Sequence, residues 1–139
     1  MNELKKNNNS YLYFAWLALK IVYGLIVLIA GLDKFFGILS PHNPNIISII
    51  IRSLLPIPVT HFFYGIGIFE IIVGIMILTN FTYWGAYILM AWYLIIDINL
   101  LTIGSNFYLL IMNNIGHATA SFTLAQLTRY IKQHHYNSK

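Results

Sequence analysis

Four long apolar segments constrain the fold of this chain more than any other feature. They run from about residue 11 to 36, 59 to 78, 83 to 103 and 107 to 130. Each holds the roughly 20 mostly apolar residues that an α-helix needs to cross the hydrocarbon core of a bilayer. The sequence therefore predicts an all-α, polytopic membrane protein with four transmembrane helices in one domain.

The composition agrees with an environment of lipid. Charged residues make up 9% of the 139 residues, whereas a soluble domain carries about 25%. Such an apolar chain cannot cover a surface that faces water. Cysteine is absent, which excludes disulfide scaffolds, thiol relays and Cys-ligated zinc or iron–sulfur sites.

The connections and the positive charges predict the arrangement of the segments. Residues 80–82 and 104–106 are the whole of two loops, and such short connections make neighbouring helices antiparallel. The Lys and Arg residues are mostly in or near the tails 1–10 and 131–139. By the positive-inside rule both tails are cytoplasmic, in a bacterial-type inner membrane. No basic face alternates with aromatic residues, so a nucleic-acid partner is not expected.

A shorter apolar run lies between the first two segments. Residues 40–44 read Ser-Pro-His-Asn-Pro, which is turn chemistry. Residues 45–55 follow and include Arg52, but this run is too short to cross a bilayer. Pro56 and Pro58 end it. A short interfacial or re-entrant helix and a buried core helix are equally good interpretations.

Polar and charged side chains inside the apolar segments are the second informative feature. A charge at the bilayer centre costs on the order of 2.5–3.5 kcal/mol, so such residues usually face the bundle interior and mark functional sites. For a single residue, a structural role as hydrogen-bonding glue between helices is an equally good interpretation. Three acids and one histidine at similar depths favour function. The predicted ligand-binding residues are Asp33, Lys34, Glu70, Asp97, Asn99, Asn113, Asn114 and His117.

Helix geometry gives the depth of these residues. At about 1.5 Å per residue, Glu70 and His117 both lie about 15 Å below the outer surface and within reach of each other. Asp97 lies about 9 Å deep, level with Asn113 and Asn114. His61, at about 3 Å, is at the wrong level to share a haem with His117. No spacing indicates a metal site, and none is predicted.

Several motifs carry a family resemblance. The first segment has Lys20, Gly24 and then Gly-Leu-Asp-Lys-Phe-Phe at residues 31–36. The second reads YGIGIFEIIVG at residues 64–74, and the third carries Trp92 and then Asn99-Leu100-Leu101. Over about residues 20 to 128 the chain resembles the DoxX-like family of small four-helix integral membrane proteins. The resemblance implies a membrane bundle and an association with quinone-linked or sulfur-oxidising membrane enzymes.

One position departs from the pattern of the most similar subgroup. That subgroup opens its fourth helix with an Arg-Asp pair, an apolar residue and Gly. This chain has Asn113-Asn114-Ile115-Gly116 there. Two amides therefore replace a charge pair, so any chemistry that depends on the pair is altered or lost.

The expected function is that of an accessory subunit of a membrane redox-linked complex, not catalytic on its own. Its polar residues would bind a quinone head group or a similar small molecule, which is the one cofactor considered. Redox-enzyme subunits, or further copies of the chain, are the expected partners. One alternative is a small proton-coupled transporter, since midplane acids and histidine suit a proton relay. Against it, the chain has no internal repeat of the transporter kind. The other alternative is a structural assembly factor.

Overall fold

Four α-helices form the described part of the chain. The computed structural model describes residues 2–38 and 58–136. The helices are α1 (Asn2–Phe36), α2 (Val59–Leu78), α3 (Thr82–Ile103) and α4 (Tyr108–Tyr136), with a 3₁₀ turn at Ser105–Phe107. The predicted all-α class is confirmed. The short helix predicted at residues 45–55 lies outside the described residues.

Three of these helices are long and apolar enough to cross a membrane. They are Ser10–Phe36 of α1, the whole of α2 and the whole of α3. The fourth helix, α4, is long at 29 residues, but it mixes apolar residues with amides, hydroxyls and a basic end. Its crossing of the membrane therefore stays a prediction.

The first helix is longer than the predicted span. It has 35 residues, or about 52 Å at 1.5 Å per residue, against about 30 Å of hydrocarbon. Its start at Asn2 precedes the predicted start at residue 11 because Leu4, Lys5 and Lys6 favour helix. No glycine or proline interrupts that stretch. The N-terminal tail therefore continues α1 as a helix.

Four glycines bring α1 and α2 into backbone contact. A Cβ atom added to Gly31 would lie 2.7 Å from the carbonyl oxygen of Gly67, and one added to Gly67 would lie 2.8 Å from that of Gly31. A Cβ atom on Gly74 would lie 2.9 Å from the backbone nitrogen of Leu28 and 3.1 Å from the carbonyl oxygen of Gly24. Small residues allow this approach between membrane helices, and here they fix which faces of α1 and α2 meet.

The helices associate mainly in two pairs, α1 with α2 and α3 with α4. An apolar core joins the pairs and consists of Val27, Val73, Ile77, Ala86, Leu89, Leu124 and Ala125. Polar contacts also cross between helices. Trp16 Nε1 donates to Thr128 Oγ1 at 2.8 Å, and Gln126 Nε2 donates to the Tyr87 hydroxyl at 2.7 Å. These contacts determine which face of each helix points toward the candidate site.

Candidate functional site

Five polar or aromatic side chains from all four helices meet inside the bundle. Tyr23 comes from α1, Glu70 from α2, Trp92 and Tyr93 from α3, and His117 from α4. We call these five residues the central cluster. Tyr23 Oη and His117 Nδ1 share a hydrogen bond of 3.2 Å. The Tyr93 ring stacks on the His117 ring, with centroids 5.2 Å apart and planes 22° apart.

Glu70 belongs to the cluster because it interacts with the two aromatic residues of α3. Its carboxyl group lies close enough to the Tyr93 hydroxyl and to the Trp92 indole to interact electrostatically with each. The Lys34 ammonium acts on the same carboxyl group from α1. Tyr93 links the two residues whose depths are similar, because its ring stacks on His117 and its hydroxyl interacts electrostatically with Glu70.

An acceptor and a donor in this cluster have no hydrogen-bond partner among the described residues. They are Oε2 of Glu70 and Nε1 of Trp92, and both atoms are buried. The two groups are near each other, but their geometry falls short of a hydrogen bond. A buried polar atom without a partner costs about 1–3 kcal/mol. A third group placed between the two could satisfy both the acceptor and the donor.

A second polar contact joins α3 and α4. Asn114 Nδ2 donates to Asp97 Oδ1 at 2.9 Å, and both side chains are buried. The other carboxylate oxygen of Asp97, Oδ2, is buried without a partner among the described residues. Asn113 is exposed instead, because adjacent helical residues are rotated by about 100°. The two amides that replace the subgroup's Arg-Asp pair thus lie in different environments.

The end of α1 places Asp33. Gly37 adopts a φ of 62°, a left-handed conformation that glycine adopts at no steric cost and that commonly ends helices. The Gly37 amide donates to the Asp33 carbonyl at 2.6 Å, and the Ile38 amide donates to Asp33 Oδ1 at 2.9 Å. Asp33 is therefore buried and holds the end of α1 in place.

The structure distributes the remaining predicted residues around these groups. Lys34 is half-buried beside Gly67, on the side of α1 that meets α2. Asn99 is half-buried on α3 and lies about 200° around the helix from Asp97. No group of three or more histidine, aspartate and glutamate side chains that could hold a metal occurs within residues 2–38 and 58–136.

A match to a known protein family covers most of the residues of the central cluster. The DoxX family model matches residues 15–102. The chain belongs to the DoxX family. The match includes Tyr23, Glu70, Trp92 and Tyr93 but ends before α4 and His117. No curated protein and no solved structure matches this DoxX protein.

The predicted ligand-binding residues include Glu70 and His117 of the central cluster of this DoxX protein but omit Tyr23, Trp92 and Tyr93. The prediction rested on charged, amide and histidine side chains, and Trp92 entered only through the family resemblance. A signal did exist for each of the two tyrosines. Tyr93 precedes Asp97 by about one helical turn and so shares its buried face. Tyr23 adjoins Gly24, which packs against α2.

The arrangement is suited to binding a flat molecule that both donates and accepts hydrogen bonds. The rings of Phe69 and Trp92, with centroids 4.7 Å apart, and those of Tyr93 and His117 supply aromatic surface. The carboxyl group of Glu70 and the N–H of Trp92 supply the unsatisfied polar atoms. Ligand sites combine apolar and aromatic walls with a few placed polar groups, and this cluster has both parts.

Proposed function

We propose that this DoxX protein binds a quinone head group, or a small polar ring compound of the same hydrogen-bonding character, in the central cluster. The unsatisfied pair formed by Glu70 Oε2 and Trp92 Nε1 is the observation that supports this proposal. A quinone carbonyl oxygen accepts a hydrogen bond from an indole N–H. A quinol hydroxyl can donate one to the carboxyl oxygen of Glu70 and accept one from the indole. The reduced form therefore meets both needs, and the oxidised form meets that of Trp92.

The role we propose is that of an accessory subunit in a membrane redox-linked complex. The sequence has no cysteine, so this chain holds no thiol relay and no Cys-ligated iron–sulfur cluster. The electrons would pass between the bound quinone and a partner subunit. The protein's own part is to hold and orient the head group within the bilayer.

We also propose that all four helices cross the inner membrane as an antiparallel bundle, with both termini cytoplasmic. The buried polar face of α4, which includes Asn114, Ser121 and Thr128, supports a fourth span whose polar groups turn inward. The chain has no cysteine, so single cysteines at Asn80, Asn106 and Lys139 can report on topology. A membrane-impermeant maleimide added to intact cells should label only the variant at residue 106. Labelling of residue 139 without permeabilisation would contradict the fourth span.

Titration of the purified protein with quinones tests the binding proposal. The protein would be extracted in mild detergent, and co-extracted quinones would be identified by mass spectrometry. Short-chain benzoquinone and naphthoquinone would then be titrated in by calorimetry, with Trp92→Phe as the comparison. Saturable binding that weakens in Trp92→Phe supports the proposal. No retained quinone and no saturable binding would refute it.

A second candidate function is proton conduction, which one observation favours. Tyr23 and His117 share a hydrogen bond, Tyr93 stacks on His117, and Tyr93 interacts with Glu70. Four groups that exchange protons therefore follow one another across the bundle. Proton flux into liposomes, abolished by Glu70→Gln while quinone binding is absent from both proteins, would favour this function over the first.

The polar contacts of the other helix faces argue against a purely structural role for the central cluster. The pairs Trp16–Thr128 and Tyr87–Gln126 satisfy both partners, as helix glue should. The central cluster instead leaves the Glu70 and Trp92 atoms unsatisfied. An unsatisfied acceptor beside an unsatisfied donor favours a bound third group over helix glue, whereas Oδ2 of Asp97 is a single unsatisfied acceptor.

A further inference from the structure

Two lysines from different helices converge on the short loop between α2 and α3. Lys20 Nζ, from α1, donates to the Thr79 carbonyl oxygen at 2.9 Å. Lys132 Nζ, from α4, donates to the neighbouring Asn80 carbonyl oxygen at 3.1 Å. The loop joins two helices that are apolar enough to span the membrane, so both ammonium groups lie at one surface of the bilayer.

Trp16 fixes the helices that carry these lysines. Its indole N–H donates to the Thr128 hydroxyl at 2.8 Å, which ties α1 to α4 one turn before Lys132. The Lys20 ammonium lies 5.1 Å from the centre of the Trp16 ring, within the range of a cation–π interaction. Tryptophan is also enriched where membrane helices meet the interface. Lys20 and Lys132 are therefore held close together at this level of the bilayer.

The carbonyl contacts leave much of the lysine charge unbalanced. The two ammonium groups are close enough to repel each other. The carbonyl end of a helix carries about −0.5 charge, so roughly +1.5 remains. Each ammonium has three N–H donors, of which the loop carbonyls take one each. Among the acids whose side chains the structure describes, Glu70 and Asp97 lie about 14 Å and 22 Å along α2 and α3 from the loop, and Asp33 lies about 20 Å along α1 from Lys20.

We propose that Lys20 and Lys132 form a binding site for the phosphate group of an anionic phospholipid. Basic pockets between membrane helices are suited to acidic head groups at the bilayer surface. The phosphate oxygens can accept hydrogen bonds from the remaining N–H donors of both lysines, and the phosphate charge balances theirs. The site is separate from the central cluster and does not depend on the ligand proposed there.

The surface next to Lys20 favours a lipid over free phosphate. Ile21, Leu25 and Ile29 follow Lys20 along α1 and are 44%, 45% and 49% exposed. They recur every four residues and so form one aliphatic strip along the helix. A phosphate at Lys20 would place the attached acyl chains beside this strip. Inorganic phosphate would make no use of it.

Native mass spectrometry tests the site with defined lipids. The delipidated protein would be mixed with equal amounts of phosphatidylglycerol and phosphatidylcholine, and the bound lipids counted. The wild type should prefer one phosphatidylglycerol by about 30-fold, the factor expected from two lysines at an anionic surface. The double variant Lys20→Gln/Lys132→Gln should lose that preference, and Lys20→Arg/Lys132→Arg should keep most of it. Lys139→Gln removes the same charge from the C-terminal residue and should change nothing.

Labelling of the wild-type protein covers the case in which the double variant does not fold. Acetylation of lysines would be compared in phosphatidylglycerol and phosphatidylcholine nanodiscs. Lys20 and Lys132 should be protected about fivefold or more in phosphatidylglycerol alone. Equal acetylation in both lipids would overturn the proposal. So would equal protection by inorganic phosphate in phosphatidylcholine nanodiscs, because the site would then bind free phosphate.

Discussion

Nε1 of Trp92 and Oε2 of Glu70 lie buried near each other on neighbouring helices without a hydrogen bond between them. Membrane helices usually satisfy such groups, because lipid offers no water to do so. Three buried side-chain atoms of the described residues have no hydrogen-bond partner, namely these two and Oδ2 of Asp97, whose Oδ1 accepts from Asn114. The acceptor of Glu70 and the donor of Trp92 are the basis for the first two predictions.

Replacing Glu70 by glutamine should weaken quinol binding by about 10- to 100-fold. The substitution keeps the size of the side chain but replaces one carboxyl oxygen by an NH2 group that cannot accept a hydrogen bond, and a buried polar group left without its partner costs about 1–3 kcal/mol. Calorimetric titration with a short-chain quinol measures the change. Asp97→Asn is the matched control, since it also exchanges a buried acid for its amide, and it should alter the Kd by less than about twofold. Equal losses in both variants would mean that Asp97 shares the site.

Tyr93→Phe and Tyr87→Phe should separate binding from helix packing. Both changes remove one hydroxyl from α3, but the Tyr93 hydroxyl interacts with Glu70 and the Tyr87 hydroxyl accepts from Gln126. Loss of one hydrogen bond lowers the free energy of unfolding by about 0.5–1.5 kcal/mol. We expect that loss in Tyr87→Phe with the quinone Kd unchanged. Tyr93→Phe should raise the Kd, and a Kd that rises equally in both variants would contradict the assigned site.

The two adjacent amides of α4 should differ in their effect on stability. Asn114→Leu removes the donor to Asp97 Oδ1 and leaves a buried carboxylate with less support, at a cost of about 1–3 kcal/mol. Asn113→Leu alters an exposed position and should stay within about 0.5 kcal/mol. Thermal unfolding in bicelles measures both. Similar losses in the two variants would indicate that Asn113 has a partner in the membrane.

Two glycines of α2 offer a similar comparison. Gly67→Ala would place a Cβ atom 2.8 Å from the Gly31 carbonyl oxygen, and overpacking of this kind costs about 1–3 kcal/mol. Gly65 has open space around its Cβ position, so Gly65→Ala should stabilise the helix by about 0.5–1 kcal/mol. The free energy of unfolding of each variant, measured against the wild type, tests both expectations. A tolerated Gly67→Ala would show that α1 and α2 can separate without loss.

The apolar runs of the sequence predicted the helices well because twenty apolar residues in a row permit few other structures. Rise per residue also placed Asp97 and Asn114 at one level, where they form a hydrogen bond. Depth alone, however, does not reveal which way a side chain turns. Asn113 and Asn114 are adjacent in sequence but differ in burial, and Tyr93 stacks on His117 while interacting electrostatically with Glu70. Those facts depend on the rotation of each helix about its own axis. Contacts between residues that are far apart in the sequence determine that rotation.

The backbone contact between Gly31 and Gly67 packs α1 and α2 into one close pair, and α3 and α4 form the other. The central cluster takes residues from both pairs and therefore lies on the seam between them. A hydrophobic molecule dissolved in the bilayer would reach Glu70 sideways, by passing between the two pairs of helices without leaving the lipid.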